Sequence, residues 1–372
     1  MIPFNRASFD GKELTYLAQA VLDGHVSGNG PFTKRAEAML EAGHGSGRTL
    51  LTTSCTHALE LSARLLDLQP GDEVIVPAFT FVSSAAAFAL HGGTPVFVDV
   101  RDDTLNLDAD LVEAAITERT RAICVVHYGG VAAEPDRFRR IADRHGLVLV
   151  EDNAHGLFGR YRGVPLGTFG QLSTLSFHET KNITCGEGGA LHVNDERFFE
   201  RAEILREKGT DRSRFLRGQT DKYTWVDIGS SWVMSDLLAG VLVGQLERIA
   251  EIQARREAIW RRYDEELAGW AAANGVRTPV VPEGCEHTSH VYFLRFPTLE
   301  QRSAMIAQLK EQGILSVFHY QPLHLSDVGR RYGGQPGQHP VTECAADTLL
   351  RLPLFVGMTD DEQLRVIEAV RG

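Results

Sequence analysis

Lys181 stands in the stretch Ser176-Phe177-His178-Glu179-Thr180-Lys181-Asn182, which runs into Gly186-Glu187-Gly188-Gly189. It falls in a short loop between two strand-like runs, residues 172–178 and 190–194, and the glycines after it let backbone come close to a ligand. Lysine is scarce in this chain, six against thirty-two arginines, so one placed between two apolar runs calls for a reason. An amine desolvated among apolar neighbours loses its proton more easily and can form a Schiff base with an aldehyde. The other reading is a loop lysine whose charged head reaches water along its own alkyl stem. Both stand open on this stretch alone.

Three further stretches could do chemistry. Ser54-Cys55-Thr56-His57 is a turn of small polar residues opening a helix, where unpaired amides and the helix dipole favour an anion such as phosphate. It lacks a P-loop ending, and plain capping by Ser54 accounts for the turn equally well. Asp152 follows the apolar run Leu147-Val148-Leu149-Val150, where a buried carboxylate needs a cationic partner, for which a ring N–H⁺ would serve; capping the next turn is its alternative. Phe79-Thr80-Phe81 follows another apolar run, and an aromatic there either stacks on a planar ring or joins the core. His319 and His324 flank Tyr320-Gln321-Pro322-Leu323 with no acidic or cysteine partner at ligand spacing, so no metal is expected.

An anion site, an aromatic, an aspartate and a lysine are the four partners of a planar cationic pyridine that carries an aldehyde and a phosphate. The cofactor implied is pyridoxal 5′-phosphate (PLP).

The elements that must position these residues read as an α/β pattern. Strands are expected at 49–53, 74–77, 95–100, 122–127 and 147–151, separated by helices at 56–66, 82–90, 108–116 and 137–145. Short Val/Ile/Leu-rich strands alternating with helices imply a mostly parallel sheet covered on both faces, with ligands beyond the carboxyl ends of its strands. An approach segment with helices at 12–22 and 33–42 precedes the pattern, and between them lies a glycine-rich loop containing Ser27, Gly28 and Gly30. After it come a helix at 196–208, a polar arginine-rich loop at 211–221 and one long helix over 235–263. From about 275 a smaller α+β unit is expected, with strands at 291–296 and 314–318 and helices at 299–312, 342–349 and 360–370. The division expected is a large cofactor-binding domain over 1–245 and a linking helix with a small domain over 246–372.

The 372 residues, 43% hydrophobic and 8% aromatic, can build a large core in more than one domain. A net charge of −11 argues against a nucleic-acid or anionic-membrane surface, so any phosphate must be held by a local site. Five scattered cysteines without a C-x-x-C suggest neither a disulfide framework nor a zinc site. The first residues carry no basic-then-apolar leader and no run approaches a membrane span, so the place expected is the cytoplasm.

The sequence resembles the DegT/DnrJ/EryC1/StrS sugar aminotransferases of PLP fold type I over essentially its whole length. The likeness rests on Thr53-Ser54-Cys55-Thr56, Gln69-Pro70-Gly71-Asp72-Glu73, Phe79-Thr80-Phe81-Val82-Ser83, the Ser176–Asn182 and Gly186–Gly189 stretches, Arg206-Glu207-Lys208-Gly209-Thr210, Asp221-Lys222-Tyr223-Thr224-Trp225, Asp227-Ile228-Gly229-Ser230-Ser231 and Phe318-His319-Tyr320-Gln321-Pro322. It implies an aspartate-aminotransferase-like fold, Lys181 as the lysine bound to the cofactor's aldehyde, and Asp152 as partner of the pyridinium nitrogen. Phe81 would lie against the ring, and Cys55, Thr56, the His57 amide and Ser176 would hold the phosphate, with Asn182 nearby. His155, where the family usually has Gln, would face the phenolic oxygen and make the site pH-sensitive. Ser231 replaces an Asn that reaches the phosphate across a dimer interface. The resemblance further implies L-glutamate as donor, dTDP-4-dehydro-6-deoxy-D-glucose as acceptor, and a homodimer with shared sites. Ser27, Gly28, Gly30, Lys222, Tyr223, His319 and Tyr320 would lie in the sugar groove. A 3-keto or UDP-linked sugar, or a PLP-binding regulator without catalysis, are the alternatives. A sugar dehydratase, which would have a histidine at the lysine position, is disfavoured by Lys181.

Overall fold

The computed structural model describes residues 1–372. Its strands in chain order are β1 (Arg48–Thr52), β2 (Glu73–Pro77), β3 (Thr94–Val98), β4 (Thr120–Val126), β5 (Val148–Asp152), the two-residue β6 (Arg160–Tyr161) and β7 (Val164–Pro165), β8 (Leu172–Ser176), β9 (Gly189–Val193), β10 (Cys285–Glu286), β11 (Tyr292–Arg295) and β12 (Leu349–Leu352). Seven of them form one sheet in the order β1-β9-β8-β5-β4-β2-β3. Only β9 runs against its neighbours, pairing Ser176 with Gly189 on one side and Thr52 with Gly189 on the other. The remaining pairs are parallel, as apolar strands joined by helices require. The residues that follow β1, β2, β5 and β8, together with the start of β9, therefore meet at one sheet edge.

Both faces are covered, which is why the strands read as unbroken apolar runs. On one face the helix Cys55–Leu65 packs Leu59, Leu61 and Leu65 with Val74, Val76, Val150 and Leu191. On the other, Phe138 and Ile141 of the helix Pro135–His145 meet Ile75, Ile123 and Leu149. A third cluster joins the helices Glu13–Leu22, Pro31–His44 and Asp236–Leu246 through Tyr16, Leu40 and Leu242. A further core packs Ile259, Tyr263 and Leu267 against Tyr292, Leu294, Leu350, Phe355 and Ile367, and the N-terminal Ile2 belongs to it through a bridge to Ile314. The first residues thus pack with the C-terminal elements.

Four element assignments differ from the sequence reading. The expected helix over 235–263 is two helices, Asp236–Leu246 and Ile249–Ala273, because Arg248 leaves helical geometry at φ −105° and ψ 12°. The expected strand at 314–318 is reduced to isolated bridges at Ile314 and Val317. Its place beside β11 is taken by β12, whose first residue, Leu349, closes the stretch expected to be helical. The arginine-rich segment contains a short helix, Arg212–Leu216, with its side chains toward solvent.

Candidate active site

A cavity of about 640 Å³ opens at the collecting edge of the sheet, where Lys181, Asp152, His155, Phe81, Cys55, Thr56, Ser176, His319 and Tyr320 all line it. These residues come from five separate parts of the chain, so their convergence is a product of the strand order. Asp152 ends β5 opposite Thr174 of β8, and Lys181 lies in the turn after β8. That turn is tied by His178 pairing with Gly186, and by the Lys181 amide donating to the His178 carbonyl at 2.9 Å.

Burial pushes the Lys181 amine down from 10.5 to about 8, against the pull of Cys55 and Asp152, while Arg351 pushes the same way as burial. Burial raises the Asp152 carboxyl above its usual value, and the Ser84 hydroxyl, donating to Oδ2 at 2.7 Å, and the Lys181 charge oppose that rise. The Ala154 amide donates to the other oxygen at 3.3 Å. His155 lies stacked on His290, with ring centroids 4.2 Å apart. Its Nδ1 accepts from the Gly129 amide at 3.3 Å, which leaves the ring hydrogen on Nε2. Burial, assisted by the Lys181 and Arg351 charges, holds His155 well below 6.5. Burial thus opposes the protonation on which the expected pH sensitivity at this ring depends.

The helix Cys55–Leu65 begins at the cavity, capped by Ser54 Oγ, which accepts from the His57 amide at 3.1 Å. That amide, expected to serve an anion, is engaged by the cap, and the His57 ring bonds to Thr53 Oγ1. The amides of Cys55 and Thr56 have no acceptor within the helix, as at every helix start. The Thr56 and Ser83 hydroxyls lie 2.8 Å apart beside them. Gly189 keeps this corner open, since a Cβ there would stand 2.3 Å from the Cys55 nitrogen.

Other expected site residues lie elsewhere in this chain. Asn182 does not line the cavity; its Nδ2 donates to the Thr288 carbonyl at 2.8 Å and its Oδ1 meets His290 Nδ1 at 2.8 Å. Ser231 is exposed and bridges Glu207. Lys222 and Tyr223 are exposed, Tyr223 packing on Phe215. Ser27 is exposed, Gly28 abuts Val233, and Gly30 abuts Asp236. The cavity adds residues that sequence reasoning passed over: Ser83, His290 and Arg351, with Phe4 and Asn5 of the N-terminal segment at its rim. Ser83 and Ser84 could have been noticed, since they open a helix directly after a strand end, as Ser54 does. Arg351 carried a signal too, a charge inside the apolar run Leu349-Leu350-Arg351-Leu352.

The donor set fits PLP. An amine of lowered pKa, a carboxylate on the same cavity, a neutral N–H donor and an open helix start with hydroxyls match an aldehyde, a pyridinium nitrogen, a phenolic oxygen and a phosphate in turn.

Comparison with known proteins agrees with this chemistry. The chain is 31% identical to Spr1654 of Streptococcus pneumoniae in its PMP form, over 100% of this chain and 98% of that one, with a TM-score of 0.93. It is 33% identical to DesV of S. venezuelae, covering 100% and 97% of the two chains, with a TM-score of 0.91. It is also 32% identical to the spore coat polysaccharide biosynthesis protein SpsC of Bacillus subtilis, over 100% of this chain and 96% of the relative. The family model for DegT/DnrJ/EryC1/StrS aminotransferases matches residues 9–371. The chain therefore belongs to the DegT/DnrJ/EryC1/StrS aminotransferase family, and it is a PLP-dependent transaminase.

Proposed function

We propose that this enzyme moves the amino group of L-glutamate to C4 of a nucleotide-linked keto sugar, dTDP-4-dehydro-6-deoxy-D-glucose. The observation that carries the reading is the shared cavity of Lys181 and Asp152 beside the open start of the helix Cys55–Leu65. Its volume of about 640 Å³ has room for a sugar beside the cofactor. A family likeness to proteins of sugar and polysaccharide biosynthesis supports a sugar as acceptor.

Bound PLP supplies an electron sink and a carrier for the amino group. Lys181 Nζ takes the proton from the donor's α-carbon and later returns a proton as acid, a task suited to an amine whose pKa lies near the working pH. Asp152 would hold a proton on the pyridine nitrogen, its carboxylate oriented by the Ser84 hydroxyl, which also opposes the rise in its pKa. His155, whose Nδ1 is taken by the Gly129 amide, would give its Nε2–H to the phenolic oxygen. Phe81 would lie against the ring, and Thr56 and Ser176 would hold the phosphate with the Cys55 and Thr56 amides, since all four residues line the cavity.

The enzyme works in this reading as a cytoplasmic homodimer, with residues 1–245, apart from the first residues that pack with the C-terminal elements, forming the cofactor domain and 246–372 the linking helix and small domain. Ser27, Lys222, Tyr223 and Ser231 are exposed on the single chain, which supports their acting in a neighbouring subunit's cavity. No helix is long and apolar enough to cross a membrane.

The test is the reaction itself. Holoenzyme with glutamate and the dTDP-keto sugar should release 2-oxoglutarate and a sugar whose NMR couplings place the amine at C4. An amine at C3, or turnover only with a UDP-sugar, would replace this acceptor. Mixing Lys181→Ala subunits with Lys222→Ala/Tyr223→Ala subunits should restore part of the activity if sites are shared.

A further inference from the structure

Ser27, Lys222, Tyr223 and Ser231 lie on two surface segments, residues 27–30 and 222–231, that do not line the active cavity of their own chain. A third segment, residues 206–211, touches both. On one side its backbone pairs with the later segment: Glu207 bridges Ser231, Thr210 bridges Trp225, and the Lys208 amide donates to the Ser230 carbonyl at 2.9 Å. On the other side two of its side chains reach the glycine-rich loop. Arg206 Nη2 donates to Asn29 Oδ1 at 2.8 Å, and Asn29 Nδ2 donates to Glu207 Oε2 at 3.0 Å. Consecutive residues thus hold both ends of one amide.

The clasp is buried and braced. Arg206 and Glu207 are 7% and 8% exposed. Arg206 Nη1 is anchored from behind by Glu37 Oε1 at 2.8 Å and the Leu51 carbonyl at 3.0 Å. The second Glu207 oxygen accepts from Lys208 Nζ at 2.9 Å and Arg212 Nη1 at 3.2 Å. Burial acts to raise the Glu207 carboxyl, but Lys208 and Arg212 together outweigh it and hold the group below its usual value. The carboxylate therefore accepts on both sides, which a glutamine could not do. With its oxygen toward Asn29 its NH2 group would face two cations, and with its oxygen toward the cations it would face the Asn29 NH2 group. Asn29 sits at φ 63°, a conformation that glycine adopts more readily, so the turn by itself does not require this amide.

The later segment leaves Tyr223, Trp225, Val226 and Ile228 at least 50% exposed. An apolar run of this kind marks a surface that another molecule covers, and a second copy of this chain is the occupant that the shared-site reading supplies.

We propose that Glu207, together with Arg206, is a positioning residue for the neighbouring subunit's site. It fixes the loop at 27–30 through Asn29 and the segment at 222–231 through the Ser231 bridge, so that both meet the neighbour's sugar groove as one surface. This rests on the reading of the sites as shared between two subunits. Two loops held in place before the sugar arrives need less ordering when it binds.

Subunit mixing tests it on holoenzyme. Glu207→Gln homodimers, started from the pyridoxamine form, should need at least about tenfold more keto sugar for half-saturation, the size of loss expected for one charge-assisted hydrogen bond. Asn29→Gly should show a similar loss although it eases the backbone, and the two changes together should add little more. Coexpressed with an excess of Lys181→Ala subunits, which have no working site but an intact surface, Glu207→Gln sites should regain wild-type affinity for the sugar. Wild-type subunits coexpressed with an excess of Lys181→Ala/Glu207→Gln subunits should show the weakened affinity instead. Wild-type affinity in Glu207→Gln homodimers, or an unaltered affinity in that last mixture, would overturn the proposal. If Lys181→Ala subunits rescue Lys222→Ala/Tyr223→Ala subunits but not Glu207→Gln subunits, the proposal falls and shared sites stand. If they rescue neither, the shared-site reading falls and takes the proposal with it.

Discussion

The imidazoles of His155 and His290 stack with their centroids 4.2 Å apart and planes 28° from parallel, and each ring is fixed by a different neighbour. His155 Nδ1 accepts from the Gly129 amide, whereas His290 Nδ1 meets Asn182 Oδ1. Burial holds both rings well below 6.5, and each would repel the other if charged. In the unfolded chain these rings take up protons near pH 6.5, while in the folded chain they do not. Their contribution to stability is therefore level above about pH 7 and falls as pH drops below about 6.5, by up to about 1.4 kcal/mol per pH unit for each ring. Urea unfolding between pH 7.5 and 5.5 should show this decline, shallower in His290→Asn. Parallel declines in the two proteins would contradict it.

Ser84 donates to the buried Asp152 carboxylate, which in the proposed mechanism would face the cofactor nitrogen. Asp152→Asn should keep the fold and the cofactor but slow proton abstraction by about 10²-fold or more. Ser84→Ala should slow it less and in the same step. Single-turnover bleaching by glutamate measures both, and unchanged rates in Asp152→Asn would remove Asp152 from the mechanism.

Gly189 faces the start of the helix Cys55–Leu65, where a Cβ would stand 2.3 Å from both the Cys55 nitrogen and the Ser54 carbonyl carbon. Gly189→Ala must push this corner aside, an overpacking cost of about 1–3 kcal/mol. Equilibrium dialysis should find PLP held roughly tenfold more weakly or worse. Retention equal to wild type would show that the corner does not hold the phosphate.

Glu151 has no solvent exposure, and its carboxylate accepts from His127 Nε2 at 2.9 Å and from the amides of Gly167, Phe169 and Gly170 at 2.9, 2.8 and 2.6 Å. It fixes the turn leading into β8, and hence the strand that delivers Lys181. Glu151→Ala strands all four donors and should cost about 3–5 kcal/mol. A change under about 1 kcal/mol in urea unfolding would show that water replaces the carboxylate.

Much of this arrangement was legible in the chain. Lys181, Asp152, Phe81 and Ser54 all follow runs whose apolar continuity marks them as buried strands, and a parallel sheet brings such ends together. What escaped lies where local pattern is silent. The apolar runs around 314–318 and 349–352 look alike, and only the pairing of β12 with β11 decides which becomes a strand. His290 and Arg351 reach the cavity through contacts with Asn182, Phe4 and Phe318, more than thirty residues away for Arg351 and over one hundred for His290. The break at Arg248 lies inside a sequence with good helical spacing, where Glu247 is drawn to Tyr16 and Arg35.

Borohydride reduction of the PLP-loaded enzyme, followed by proteolysis and mass spectrometry, asks which amine holds the cofactor. The expected result is one phosphopyridoxyl group on Lys181, none on the other five lysines, and neither adduct nor turnover in Lys181→Ala. An adduct spread over exposed lysines, or a Lys181→Ala enzyme that still transfers the amino group at near wild-type rate, would contradict it.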